Sequence, residues 1–248
     1  MRWRRTAAIL LVLAAAFAGG FVFVAASSGG VQARTAEEAD KLTRFFDIVV
    51  FGNEIPGLAP AERVRKWTVP IRYKIAGTNV AEWRPVIQRH AATLTGLTGI
   101  SYQEIGPKEA GENLVVMLVP RDKMAEAGAL VEKDPAKLRA VLSQTRGGCY
   151  FLSYSKEDRI IYAAVVANVE GPKPMLEKCL LEELTQMMGL PNDSNQVSPS
   201  VFNDSERQMT LSPGDVAMVK ALYDPALKPG TPRAEALAFV RKLFLQQP

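Results

Sequence analysis

The stretch EELTQMMGLPND, residues 182–193, constrains the fold of this chain more than any other. Residues three and four apart share one face of a helix. Leu176, Leu180, Leu184 and Met187 therefore form an apolar stripe, with Cys179, Glu182, Glu183 and Gln186 on the adjoining face. Gly189 is placed to end the helix, because glycine readily takes the left-handed conformation that closes many helices. An apolar stripe must be buried against a second layer. The polar side chains beside it must then line a cleft or find hydrogen-bond partners, since buried carboxylates without them are costly. The long polar loop at residues 192–210 can supply such partners and be made rigid by them.

Periodicity places the other elements around this helix. Thr35 and Glu38 form a capping box that opens a helix to about Val50, with Leu42, Phe45, Phe46 and Val49 on its apolar face. Ile71, Tyr73 and Ile75 alternate with Arg72 and Lys74 as in a half-buried strand, which Gly77 ends. A helix over about 81–97 carries Trp83, Val86, Ile87, His90, Leu94 and Leu97 on one face, and Pro85 fits only near its first turn. Strands are expected at 100–105, 114–119, 150–154 and 159–169, the last two joined by a solvated turn at residues 155–158. Asp134 and Pro135 open a short helix carrying Leu138, Val141 and Leu142. Pro172 and Pro174 introduce the helix over about 175–188. Ser212 or its neighbours cap a helix to Tyr223, and Thr231 and Pro232 open a last one with Leu237, Val240, Leu243 and Phe244. This order predicts an α+β fold: a mixed sheet, a long helix before it, and the 175–188 helix and C-terminal helices packed on it.

The N-terminus reads as an export signal. Arg2, Arg4 and Arg5 precede an apolar run at 7–26, and Val31 and Ala33 are small residues at the positions a signal peptidase reads. The run is also about long enough to cross a bilayer uncleaved. Either reading places residues 34–248 outside the cytoplasm, periplasmic or secreted in one case and anchored to the inner membrane in the other. No cysteine near the cleavage point could carry a lipid. The formal charge of +4 falls to +1 once Arg2, Arg4 and Arg5 leave. With no basic run remaining, nucleic-acid binding is not expected. The expected organisation is a signal or anchor over 1–33, a helix and linker over 34–66, a main domain over 67–224 and a tail helix over 225–248.

The two cysteines, Cys149 and Cys179, are expected to pair in an oxidising compartment, clamping the 175–188 helix to the start of a strand. Closing that loop stabilises by about 3 kcal/mol in the chain-entropy picture. A free Cys179, one turn before Glu182 and Glu183, is the alternative.

In spacing, residues 182–193 resemble the metzincin-like branch of the zinc metallopeptidases, whose signature reads HExxHxxGxxH. The slots here hold Glu182, Glu183, Gln186, Gly189 and Asn192, with Asp193 in the place of the following acid. Ser200, Val201 and Phe202 lie where the family has its Ser-Ile-Met turn, and residues 211–216 and 221–223 resemble its final helix. The exported chain, with its CLLEELTQMMGLPND core, also resembles a proteobacterial envelope family of unknown function whose members are often labelled lipoproteins. These resemblances imply a zincin-like fold that holds an extended peptide along a sheet edge, with no assigned activity.

The chemistry of the slots argues against zinc, which takes nitrogen or sulfur donors. The one histidine, His90, sits on the apolar face of another helix and reads as a hydrogen-bonded core residue. Glu182, Gln186, Asn192 and Asp193 offer oxygen, which suits calcium or magnesium. Without a polarising ion, water stays far too weak an acid to be ionised near neutral pH. Ser153, Ser155 and Ser212 have no histidine for a triad, and no phosphate-binding glycine loop is present. The expected role is a non-catalytic envelope protein that binds a peptide or protein partner, or a structural protein. The alternative is a hydrolase with an oxygen-ligand site and Glu183 as its base.

Overall fold

The computed structural model describes residues 35–52, 59–144 and 148–246. The signal or anchor expected over 1–33 lies outside them. No helix among the described residues is long and apolar enough to cross a membrane. These described residues fold as one compact unit.

At its centre is a five-stranded mixed sheet. Its strands are β1 (Ile71–Gly77), β2 (Tyr102–Glu104), β3 (Leu114–Val119), β4 (Cys149–Lys156) and β5 (Arg159–Asn168), in the spatial order β2-β1-β3-β5-β4. All neighbours are parallel except β4, which runs antiparallel to β5 at the sheet's edge. Seven α-helices accompany it among the described residues: α1 (Ala36–Phe51), α2 (Val80–Thr98), α3 (Met124–Val131), α4 (Pro135–Gln144), α5 (Lys173–Gln186), α6 (Pro213–Leu222) and α7 (Arg233–Gln246).

The alternation of side chains in β5 explains the layering. Ala163, Val165 and Ala167 join the larger core, with residues of α1, α2, α5, α6 and α7. Ala164 and Val166 point the other way, into a smaller core with Met124, Ala127, Leu138 and Val141 of α3 and α4. A strand covered on both faces needs a continuous apolar run, and residues 163–167 are fully buried.

Most helices start and stop for local reasons. Thr35 caps α1 through the predicted capping box with Glu38, and Ser212 caps α6 through an equivalent box with Asp215. Pro85 lies in the second turn of α2, one turn deeper than its chemistry favours, and the helix continues through it. The helix α3 was not expected from the pattern. It contains Gly128, at which any Cβ would strike Tyr150 and Leu138, and the Tyr150 hydroxyl donates to Met124 O at 2.6 Å.

α5 begins after Pro172 and ends at Gln186, two residues short of the expected Met188. Gly189 follows with φ +109°, and a Cβ there would collide with the carbonyl of Arg65. Both the dihedral and the close backbone approach demand glycine. The carbonyls just past the helix are taken up by distant side chains: Trp67 Nε1 donates to Met187 O at 3.0 Å and Tyr223 Oη to Met188 O at 2.8 Å. Nearby, Lys66 Nζ donates to Leu222 O at 2.8 Å and Asp224 O at 3.3 Å. Burial pulls this ammonium down to about 8.

Candidate functional site

A cleft of about 1390 Å³ runs between the edge strand β4, the polar face of α5 and the loop that follows it. The sequence pattern of α5 places its lining. Leu176, Leu180, Leu184 and Met187 are buried in the larger core, as expected. That orients Cys179, Glu182, Glu183 and Gln186 toward the cleft, where all four contribute to its wall. Glu182, Glu183 and Gln186 are nonetheless largely buried.

The two glutamates share a face but not an environment. Glu182 meets the loop: its carboxylate, Asp193 and Asp204 bring oxygens within 4.8 Å of one another. Lys178, one turn earlier, places Nζ 3.3 Å from Glu182 Oε2 and donates to Asn203 O at 3.4 Å. Gln186 Nε2 donates to Asp193 Oδ1 at 2.6 Å. Glu183 instead faces the sulfurs. Cys149 and Cys179 form a disulfide with Cα atoms 6.0 Å apart. The Glu183 carboxylate and the two sulfurs all lie within 4.8 Å of one another. The bridge ties α5 to the first residue of the edge strand, as the pairing expectation required.

Asn192 is tied to the end of α1. Its Nδ2 donates to Ile48 O at 3.1 Å and to Asp193 O at 3.0 Å, and its backbone N–H donates to Val49 O at 3.2 Å. Ile48 O also accepts from Gly52 N at 2.9 Å. Asn192 thus anchors the end of α1 through its amide nitrogen and its backbone N–H. The local motif could not reveal this, because Ile48 lies 144 residues away.

His90 is buried on α2, at 3 % exposure, behind the cleft wall. The expectation of a hydrogen-bonded histidine is corrected for one atom: Nε2 has no partner among the described residues. Its surroundings explain this, because α2 turns an apolar face inward. Burial, then the neighbouring Arg89 charge, hold this imidazole down to about 4, so it is neutral at pH 7.

The zinc implied by the metzincin-like spacing does not fit these residues. Gln186 and Asn192 offer only amides, whose nitrogens donate to Asp193 and Ile48, and Glu182 brings a carboxylate, where the spacing asks for three imidazoles.

One residue escaped the sequence reading. Asp215, fully buried, accepts from Ser200 Oγ at 2.7 Å, Val201 N at 3.0 Å and Ser212 N at 2.8 Å. It joins the start of α6 to the turn at Ser200, Val201 and Phe202, all three fully buried. Its bonds to residues 14 and 15 positions earlier lie beyond what a local pattern shows.

Residues 39–242 match a family described as a protein of unknown function, DUF2927. The chain belongs to this family. The match takes in every strand, the disulfide and the whole α5 motif, so the cleft lies inside the family's span. No curated protein matches the chain.

Proposed function

We propose that this DUF2927 protein is an exported, non-catalytic binding protein with a zincin-like scaffold, which takes an extended peptide into the cleft between β4 and α5. The observation that carries this reading is the orientation of the β4 backbone. Asn168 N donates to Gly148 O, and Ala163 N donates to Asn113 O on the β3 side. In an antiparallel pair, inward bonding alternates residue by residue. With Ser153 opposite Ala163 and Phe151 opposite Val165, the N–H and C=O of Phe151 and Ser153 point away from β5. Among the described residues no strand pairs with them, and both line the cleft. Such an edge is what strand addition by a peptide uses.

Other features support the reading. The cleft exceeds the roughly 300–1,000 Å³ usual for a small molecule. Met175, 56 % exposed, and partly buried Phe151 both add apolar surface to its wall. An antiparallel edge strand beside the α5 motif is compatible with the zincin-like resemblance. Export is supported by the N-terminal pattern and by the disulfide, which persists in oxidising compartments. The hydrolase alternative is less well supported, because Glu183 faces the disulfide.

Ser153→Pro tests the proposal. Proline removes an outward N–H, which edge strands tolerate, whereas Leu152→Pro would break the β4–β5 ladder and serves as the misfolding control. Peptides selected from a random phage-displayed library should bind the wild type and lose about tenfold in fluorescence anisotropy with Ser153→Pro, since a peptide carbonyl left without its donor costs about 1–3 kcal/mol. Failure to enrich any peptide, or equal binding by a folded Ser153→Pro, would sink the reading.

A further inference from the structure

We propose that Cys149, Cys179 and Glu183 form a redox-gated site for a thiophilic divalent metal, zinc in particular, filled when the disulfide is reduced. The site differs from the histidine slots of the metzincin-like spacing and does not rest on the peptide-binding reading. Its donors are two sulfurs and one carboxylate that already lie within 4.8 Å of one another. A tetrahedral zinc with Zn–S of about 2.3 Å and Zn–O of about 2.0–2.2 Å holds such donors roughly 3.5–3.8 Å apart. Opening the sulfur–sulfur bond therefore calls for side-chain rotation alone. The Cα separation of 6.0 Å belongs to a fixed framework: Cys149 starts β4, and Cys179 lies within α5.

The donor set is the one zinc favours. Two thiolates outweigh the single carboxylate, and three protein ligands leave a fourth position, as in sites where zinc acts on a ligand. All three residues line the cleft. Cys179 is partly exposed, so a reductant has a sulfur to attack, whereas Cys149 is buried. The balance is simple. A dithiol or a phosphine supplies two electrons, the sulfur–sulfur bond breaks, and two solvent protons complete the thiols. Zinc then displaces those two protons, because thiolates are the ligands. The covalent tie between β4 and α5 is exchanged for a metal tie, so the edge of the cleft is fastened in either redox state while its charge and ligand chemistry change.

The test uses the purified exported chain, oxidised or reduced with a phosphine under anaerobic conditions. Zinc affinity is read by competition with a chromophoric chelator, and cobalt is used as a spectroscopic stand-in. The reduced protein should bind one zinc with release of about two protons, and cobalt should give a thiolate charge-transfer band in the near ultraviolet. The oxidised protein should show neither. Even hydrogen-bond partners of metal ligands cost about tenfold or more in affinity when lost, so Glu183→Gln should weaken zinc by at least that factor while keeping the thiolate band. Circular dichroism accompanies each sample. Zinc affinity of the reduced wild type equal to that of Cys149→Ser/Cys179→Ser would overturn the proposal. So would a cobalt spectrum without a thiolate band, affinity unchanged by Glu183→Gln, or binding only after the reduced chain has lost its native circular dichroism.

Discussion

Two polar regions flank the loop after α5, and they are built on opposite terms. Around Asp215 every feature serves closure: a fully buried carboxylate takes three donors and joins the Ser200 turn to the α6 cap. On the cleft face of α5, carboxylates are gathered beside one another and beside a disulfide, with Lys178 and Gln186 as the neighbouring donors. A satisfied buried carboxylate specifies structure, because every alternative leaves donors unpaired. A face of clustered carboxylates beside a cleft sets like charges against one another, so each holds its neighbours less firmly than a carboxylate among donors alone. The scaffold and the site are therefore separable in this protein, and single substitutions should separate them.

The largest effect is expected at the closed region. Asp215→Ala leaves a hydroxyl and two backbone N–H groups without their acceptor and removes half of a capping box, for a loss of about 4 kcal/mol. For a domain of this size that lowers Tm by roughly 10 °C, measurable by calorimetry. A loss below about 1 kcal/mol, the level of an ordinary surface change, would erase the contrast between the regions. The next effect belongs to the clamp on the cleft. Replacing both cysteines by serine should cost about 3 kcal/mol in urea unfolding under oxidising conditions. Reduced wild type should fall to the same stability in the presence of a metal chelator. Unchanged stability in the serine pair would mean that β4 is held on α5 by packing alone.

The sequence carried what is local and missed what is distant. Thr35 and Glu38, the alternation through Ile71, Tyr73 and Ile75, and the leucine stripe of α5 are patterns of neighbouring residues, and the elements they foretold are present. The polar face of α5 was legible for the same reason. The different surroundings of Glu182 and Glu183 were not, because they depend on where the loop and β4 arrive. Asn192 read as a slot in a motif, yet Ile48 fixes its amide. Gly189 read as a helix terminator, and the Arg65 carbonyl gives it a second reason to be glycine. Helix α3 was hidden by Gly128, an unfavourable helix residue whose bareness lets Tyr150 approach.

An intermediate effect comes from His90, which belongs to the core behind the cleft. Its folded pKa of about 4 lies below the ordinary value of 6.5. The unfolded chain therefore binds a proton more readily between those values. The stability contributed by the buried neutral imidazole is intact above pH 6.5 and is lost as the pH falls toward 4. The loss from this group reaches about 2 kcal/mol by pH 5. His90→Leu should flatten that part of the profile in urea unfolding at pH 7, 6 and 5. A profile with the same slope after the substitution would show that the buried imidazole is not the acid-sensitive group of the core.

The smallest effect is expected where the comparison is most exposed to failure. Glu182→Gln keeps the shape of the side chain and most of its hydrogen-bonding capacity, and removes one charge. That charge has an attraction to lose, Lys178 at 3.3 Å, and repulsions to shed, from the carboxylates of Asp193 and Asp204 within 4.8 Å. Ion pairs of this kind are offset by desolvation, and replacing one partner by a neutral isostere that still hydrogen-bonds leaves Lys178 with Asn203 O as an acceptor. The opposing terms bring the net change within about 1 kcal/mol of zero, and relief of the acidic cluster sets its sign toward stabilisation. Urea unfolding of Glu182→Gln beside Asp215→Ala decides the matter under one set of conditions. A loss above about 2 kcal/mol would place Glu182 in the same class as Asp215, as a buried carboxylate whose donors have no other acceptor, and the cleft face of α5 would then be part of the scaffold.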